Sequence, residues 1–469
     1  MATSHSSPTH EPPAKGFPGK VRRPFTVTML GAGSWFTPRL MNDILRIPGL
    51  DGGEIRLVDI DRDRLAMITN VIRILVERLG RTGWTVKASP SRRRLLPGTD
   101  YLINCIEVSG VECVRHDNDI PARYGIDQCI GDTIGPGGLF KGLRTIPVWL
   151  DILRDAEELA PDALVLNYTN PMNMLCLAAG RSSRLPFVGL CHSVQATSRL
   201  LAHRAEVEYE EMLWECAGIN HLAWFTSLVH KGKNLYPFLM EKARKDLHGT
   251  PADPDDAVDL VRKDIMLHFG AFPTESSGHL SEYLPYYRKR RDLIRRYCRS
   301  GYEGGSGFYA REWPGWRKAA DRERKKMVEG KLSPDWPRSL EYASWIIEAR
   351  EKDVPFRFHG NVMNSTSGSG PLVGNLPHDG CVEVACLADR NGIRPIPFGM
   401  LPPQMAALCD WNMRMFDMAV RAAMEKSKEA AIQALLLDPL TAAVLSPAEI
   451  SAMTLEMFRA ERDFLPGYR

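Results

Sequence analysis

No stretch of the sequence holds about 18 consecutive apolar residues, the length a helix needs to cross a bilayer, so no membrane-spanning helix is expected. Patterned cysteine is lacking too: ten Cys are scattered with no repeated Cys-x-x-Cys spacing and no disulfide framework. Reduced thiols, and with them a cytoplasmic protein, are the expectation. Charge of one sign is also short. The 60 Lys and Arg against 57 Asp and Glu leave a net charge of +3, which argues against a protein dedicated to nucleic acid or a membrane surface. There is no internal repeat and no obvious pair of catalytic carboxylates. Met1 to Lys20, rich in Ser, Pro, His and Gly, lacks the apolar core of a secretory signal, and residues 1–22 are expected to form a disordered tail.

What is present is alternation. Phe25 to Leu30 is β-prone and runs into Gly31-Ala32-Gly33-Ser34, followed by a helical pattern with Leu40, Met41, Ile44 and Leu45 on one face. Glu54 to Asp59 reads as a second strand closed by an acid, with a helix from about residue 61 to 79. Further strands are expected at Tyr101 to Ile106, 163–166 and 187–190, and a glycine-rich loop lies between Gly125 and Gly142. Such β/α alternation predicts a doubly wound parallel sheet. With Gly31-Ala32-Gly33 between a strand and a helix and Asp59 ending the next strand, residues 23–200 read as a Rossmann-like domain for a dinucleotide, NAD rather than NADP. Phe36 stands where a third glycine is usual. Residues 201–469 are expected to form a mixed α/β domain with helices around 255–269, 338–351, 403–426 and 447–460.

Three polar clusters follow apolar runs or a turn: Asn167 to Met172, Cys191-His192-Ser193-Val194-Gln195, and Gly218-Ile219-Asn220-His221. In an open parallel sheet, residues just past the strand ends line the ligand crevice. Cys191, His192 and His221 suit a divalent metal with open positions. Taken singly they serve equally as a small buried thiol and structural imidazoles. Tyr283, Tyr286 and Tyr287 read as packing, unless one lies beside a metal and acts as a base.

Together, Gly31 to Ser34, Gly131 to Gly138, Asn167 to Met172, Cys191 to Gln195 and Gly218 to His221 resemble, in order and spacing, glycoside hydrolase family 4, the NAD- and manganese-dependent glycosidases. Asn375-Leu376-Pro377 with Val382-Glu383-Val384 adds a further segment, and the resemblance spans about residues 24–465. It implies NAD on Gly31, Gly33, Ser34 and Asp59, Mn2+ on Cys191 and His221, and substrate hydroxyls on Asn170 and Asn220. It implies Tyr283 as the base, with Tyr286 and Tyr287 close enough to compete, and His192 as the acid for the leaving group. The implied reaction oxidises C3 of the sugar, removes the C2 proton, eliminates the C1 substituent, adds water and re-reduces C3, a family exception to the two-carboxylate scheme. Cys-His-Ser-Val-Gln with Pro273 to Ser277 and Ser281-Glu282-Tyr283 is similar to the branch acting on unphosphorylated α-galactosides. An α-glucuronidase or α-galacturonidase is the alternative if the basic run Arg288 to Arg291 faces the cleft. Gly278 and Ala196 depart from the branch pattern. The resemblance also implies a homodimer or homotetramer. A different class, an NAD-dependent hydroxyacid dehydrogenase, shares the turn and sheet but leaves Cys191 without a task.

Overall fold

The computed structural model describes residues 12–248, 258–334, 336–366 and 370–469. The strands Tyr101–Asn104, Leu164–Asn167 and Phe187–Gly189 are short and mostly apolar, so both their faces must be covered, as central parallel strands require. Val27, Met29, Leu57, Leu102, Ile103 and Val165 are fully buried. The strands β1 (Phe25–Leu30), β2 (Gly53–Val58), β3 (Trp84–Ser89), β4 (Tyr101–Asn104), β5 (Leu164–Asn167) and β6 (Phe187–Gly189) lie in the order β3-β2-β1-β4-β5-β6, all parallel. This is a Rossmann-type sheet, and the chain reverses its winding between β1 and β4, leaving a crevice at the carboxyl ends of the strands.

The second half continues this sheet. Its strands are β7 (Met212–Ile219), β8 (Leu222–His230), β9 (Lys233–Asn234), β10 (Phe272–Pro273), β11 (Phe356–Met363), β14 (Cys381–Asp389) and β15 (Gly392–Pro395), while β12 (Ser365–Thr366) and β13 (Gly370–Pro371) pair only with each other. From β6 outward the order is β11-β14-β7-β8-β10, all antiparallel, which with β9 and β15 completes a 13-stranded sheet. The division expected near residue 200 falls inside the helix Ser193–Arg204, and the sheet runs across it. The helix Pro403–Glu425 packs against the helices Gly135–Leu159 and Met172–Ser182, joining the two halves on one face.

The tail expected to be disordered through residue 22 is mostly exposed where it is described, but it is anchored at Phe17. Phe17 is only 9% exposed, its ring 5.7 Å from that of Trp345 and 5.5 Å from that of Phe356. Its N–H donates to Glu348 Oε1 at 2.8 Å, and Lys352 Nζ donates to its carbonyl at 2.9 Å. An apolar ring with paired backbone groups outweighs the polar composition around it; Met1 to Glu11 lie outside the described residues. Among those described, no helix is long and apolar enough to cross a membrane.

Candidate active site

At the switch point the chain turns sharply. Gly31 has a φ of 69°, and a Cβ there would lie 2.3 Å from the Cys105 carbonyl oxygen, so only glycine lets the β1 and β4 loops approach. Ala32 N–H donates to Val58 O at 3.0 Å, Ser34 N–H to Gly31 O at 2.9 Å, and Gly33 N–H to Asp59 Oδ2 at 2.7 Å. Behind this loop begins the helix Thr37–Leu45, whose N-terminus suits an anion. Phe36, in the place of a third glycine, packs its ring 5.8 Å from that of Tyr168. Gly31, Gly33, Ser34 and Asp59 therefore meet at one end of the crevice.

The second cluster forms farther along the strand ends. β6 ends two residues before Cys191, and the β7–β8 turn carries Asn220 and His221. A short pairing sets Pro273 opposite Trp224, with Thr274 N–H donating to Ala223 O at 2.7 Å, and this delivers Glu275 beside that turn. His221 Nε2 is 3.6 Å from Cys191 Sγ and 3.5 Å from Glu275 Oε2, and the ligand atoms of all three lie within 4.8 Å of one another. His221 and Glu275 both hold left-handed backbone, φ 64° and 73°, the kind of local strain that collects at functional sites.

The electrostatics suit a cation. Burial pushes the Cys191 thiol up, helped by the charges of Glu275 and Glu383. Burial, then His279, holds His221 down at about 4, so its imidazole is neutral. Burial alone would raise Glu275, but His221, His279 and His192 outweigh it and keep this carboxyl below its ordinary value. His221 Nδ1 and both polar atoms of the Asn220 side chain are buried with no hydrogen-bond partner, an uncommon state for polar atoms and one that points to a ligand.

Tyr283 is 1% exposed, its ring 6.2 Å from that of His221. Tyr287 donates instead to Asp264 Oδ2 at 2.7 Å, and the half-exposed Tyr286 packs on Phe269. Burial pushes the Tyr283 phenol well above its ordinary value; the Thr133 hydroxyl opposes this, and Asp132, Glu282 and Cys191 add to it. Asn170 Nδ2 donates to Asp132 Oδ2 at 3.4 Å, and Lys141 Nζ lies 3.4 Å from that oxygen and 3.3 Å from Glu107 Oε2. The glycine-rich loop is held by Glu282, whose Oε1 accepts the N–H groups of Cys129, Ile130 and Gly131 at 2.6, 2.9 and 3.1 Å. His192 stands on the rim, its side chain 60% exposed and its Nδ1 3.7 Å from Glu341 Oε1.

The centre draws on both halves of the chain: Asp132, Asn170 and Cys191 come from the first, His221, Glu275 and Tyr283 from the second, and the three side chains that could hold a metal, Cys191, His221 and Glu275, span the expected division. The basic run does not line it as one patch. Arg288 is buried, paired with the Asp127 carboxylate and donating to Asp127 O at 2.9 Å and Gly304 O at 3.1 Å, while Lys289, Arg290 and Arg291 face solvent. Glu275, Asp132, Lys141 and His279 are residues that sequence reasoning missed. Glu275 and Asp132 lie within quoted motifs, but only the β8–β10 pairing and the folded glycine loop bring them to Cys191 and Tyr283.

Comparison with known proteins agrees with this geometry. The family model "Family 4 glycosyl hydrolase" matches residues 26–207, and "Family 4 glycosyl hydrolase C-terminal domain" matches residues 216–441. The α-galactosidase of Bacillus subtilis (strain 168) is 38% identical, over 94% of this chain and 99% of its own. An α-galacturonidase of Thermoanaerobacterium saccharolyticum is 26% identical, over 96% and 98%. A 6-phospho-α-glucosidase from gut microorganisms, solved in complex with NAD and Mn2+, shares the fold with a TM-score of 0.76 at 20% identity, over 95% of this chain and 100% of that one. With both family models spanning most of its length, the chain belongs to glycosyl hydrolase family 4.

Proposed function

We propose that the protein is an α-galactosidase that cleaves unphosphorylated α-galactosides with NAD and a divalent ion, Mn2+, as cofactors. The observation that carries this reading is the Cys191, His221 and Glu275 set beside Tyr283, on a sheet whose switch point holds Gly31, Gly33 and Asp59. The residues fit both groups. A Cβ at Gly31 would close the cradle for the dinucleotide. A thiol, a neutral imidazole and a carboxylate form a mixed donor set that accepts several divalent ions, and the unpartnered atoms of Asn220 suit sugar hydroxyls.

When bound, NAD would supply the hydride acceptor and donor for C3, and a divalent ion held by Cys191, His221 and Glu275 would polarise the C3 oxygen. Asn170 and Asn220 hold the sugar hydroxyls. Tyr283 Oη takes the C2 proton, with Thr133 favouring the phenolate and burial of the ring excluding water. His192, exposed on the rim, carries a proton to the leaving oxygen. The galactoside reading over an α-glucuronidase or α-galacturonidase rests on the cations: Lys141 is already flanked by Glu107 and Asp132, and Arg288 is committed to Asp127, so neither is offered to a sugar carboxylate. The 38% identity to an α-galactosidase, against 26% to an α-galacturonidase, supports the same choice.

The reading assigns the cofactor to residues 23–200 and the substrate chiefly to residues 201–469. It sets the protein in the cytoplasm, where the ten free cysteines stay reduced. It makes the protein a homodimer or homotetramer through exposed apolar side chains of the C-terminal helices such as Met424, Leu436 and Leu437; a monomer in light scattering at micromolar concentration would remove that part. The test of function is p-nitrophenol release from α-galactoside, α-glucoside, α-glucuronide and α-galacturonide, with and without NAD, Mn2+ and a thiol reductant. Release from the galactoside that needs all three, without NADH build-up, is expected. NADH accumulating on a hydroxy acid, with no glycoside cleaved, would overturn the reading.

A further inference from the structure

The helix Phe308–Val328 comes from the second half of the chain yet packs against Arg62–Arg78 and Gly110–Arg123, the helices that follow β2 and β4. It therefore bridges the two sides of the switch point, and it brings charge to Asp59. Arg64 packs against the glycine turn: a Cβ on Gly33 would lie 3.2 Å from Arg64 Cβ and 2.9 Å from Asp59 Oδ2. Arg64 Nη2 is 3.0 Å from Asp321 Oδ2, and the other oxygen of Asp321 is 3.0 Å from Arg324 Nη1. Arg64 Nε also lies 3.7 Å from Asp61 Oδ2. Arg324 is 3% exposed, sits within electrostatic reach of Asp59, and its Nη2 is buried with no hydrogen-bond partner.

An acid at the end of β2 accepts hydrogen bonds from the ribose hydroxyls of NAD, whereas an arginine there accommodates the 2′-phosphate of NADP. Here Arg64 already packs against the turn that holds the acid, and Arg324 lies behind it on Asp321, so the acid alone does not account for a preference. A guanidinium held by one carboxylate offers less to a second anion. We propose that Asp321 is a cofactor-specificity residue acting from the C-terminal half: it engages Arg64 beside the Gly33–Asp59 turn, with its other oxygen on Arg324, holds Arg64 back from a 2′-phosphate, and so selects NAD. Asp321 acts through the arginines and is a positioning residue. The proposal rests on the reading of the Gly31–Asp59 crevice as a dinucleotide site.

The test is direct binding of NAD and of NADP to the full chain by calorimetry, without sugar or metal, after circular dichroism has verified folding. Asp321→Asn is expected to lower the ratio of the NADP to the NAD dissociation constant by roughly tenfold, since one opposing charge is removed beside a phosphate. Adding Arg64→Ala to that variant is expected to undo most of the gain. An unchanged ratio in Asp321→Asn, with NAD still bound, would overturn the proposal alone; wild-type protein binding neither dinucleotide would overturn the cofactor reading and the proposal with it. Should Asp321→Asn not fold, Arg64→Ala in the wild-type background gives the answer. The ratio is expected to stay within twofold, and a tenfold rise would mean that Arg64 already reads the phosphate, against the proposal.

Discussion

Glu275 and Tyr283 divide the candidate chemistry between a ligand and a base, and single substitutions separate them. Glu275 is held below the ordinary carboxylate value although it is largely buried, in a cluster of imidazoles, the setting of a carboxylate that holds a cation. Glu275→Gln removes the charge and keeps the shape, and Mn2+ binding, read by calorimetry, is expected to weaken roughly a hundredfold while NAD binding stays. Unchanged Mn2+ affinity would exclude Glu275 as a ligand. Tyr283→Phe removes only the phenol oxygen. Galactoside turnover is expected to fall by about 10²–10⁴, the usual contribution of a positioned base, with the Mn2+ and NAD dissociation constants retained. Tyr286→Phe, on a ring packed against Phe269 rather than His221, is expected to stay within about twofold, since it lies outside this step. Equal losses in both variants would break the assignment of the base.

The short helix Pro439–Val444 gives an element-scale test in which pH sets the sign. Its N-cap, Asp438, accepts Thr441 N–H at 2.8 Å with Oδ2, while Oδ1 is buried with no partner. Burial lifts this carboxyl from 3.8 to about 6, against the hydrogen bonds from Thr441. The folded state holds the proton more tightly than the unfolded chain, so the protein is relatively favoured below pH 4 and loses stability as pH rises toward 6. Above that the buried charge costs on the order of 3 kcal/mol. Asp438→Asn keeps a good cap without the charge. Its melting temperature is expected to exceed that of the wild type by a few degrees at pH 7.5 and to match it near pH 4. A gain at both pH values would show that charge is not the cause.

Elements also show where the sequence is readable. The parallel strands β4, β5 and β6 are short, mostly apolar runs that end in Asn or Gly, and the helix Pro447–Ala460 appears at the expected residues because its pattern is framed by Ser446 and Glu449, which form a reciprocal cap. β3 is hard to see because it lies at the sheet edge with most of its residues partly or fully exposed. β11 and β14 bury His359, Asn361 and Glu383 inside otherwise apolar runs, which blurs their pattern. The Ser and Gly content of residues 361–375 reads as a loop, whereas residues 361–363 complete β11. Cys191, His221 and Tyr283 stand in local motifs. Glu275 joins them only through pairing with a strand some fifty positions upstream, and no local pattern reports that.

At the scale of the whole molecule, two halves of different origin in the chain share one sheet and one crevice. Their seam is narrow in the sheet itself, a single pairing of Asn361 with Gly189 between β11 and β6. It is braced from one face by Met172–Ser182, which packs on β11, β14 and the helix Pro403–Glu425. From that helix Asn173 Nδ2 donates to Cys381 O at 3.3 Å, and Arg181 pairs with Asp379 at 3.1 Å and Asp417 at 2.6 Å. The N-terminal segment adds a second brace, since Phe17 is held by Glu348 and Lys352 of the second half. Opening either half would expose this shared apolar core together with its paired polar groups. Chains of this size often unfold domain by domain; here calorimetry is expected to show one main transition, moved upward as a whole by saturating NAD through mass action. Two resolved transitions, with NAD shifting only one of them, would mean that the seam is too weak to couple the dinucleotide crevice to the Cys191–His221–Glu275 centre.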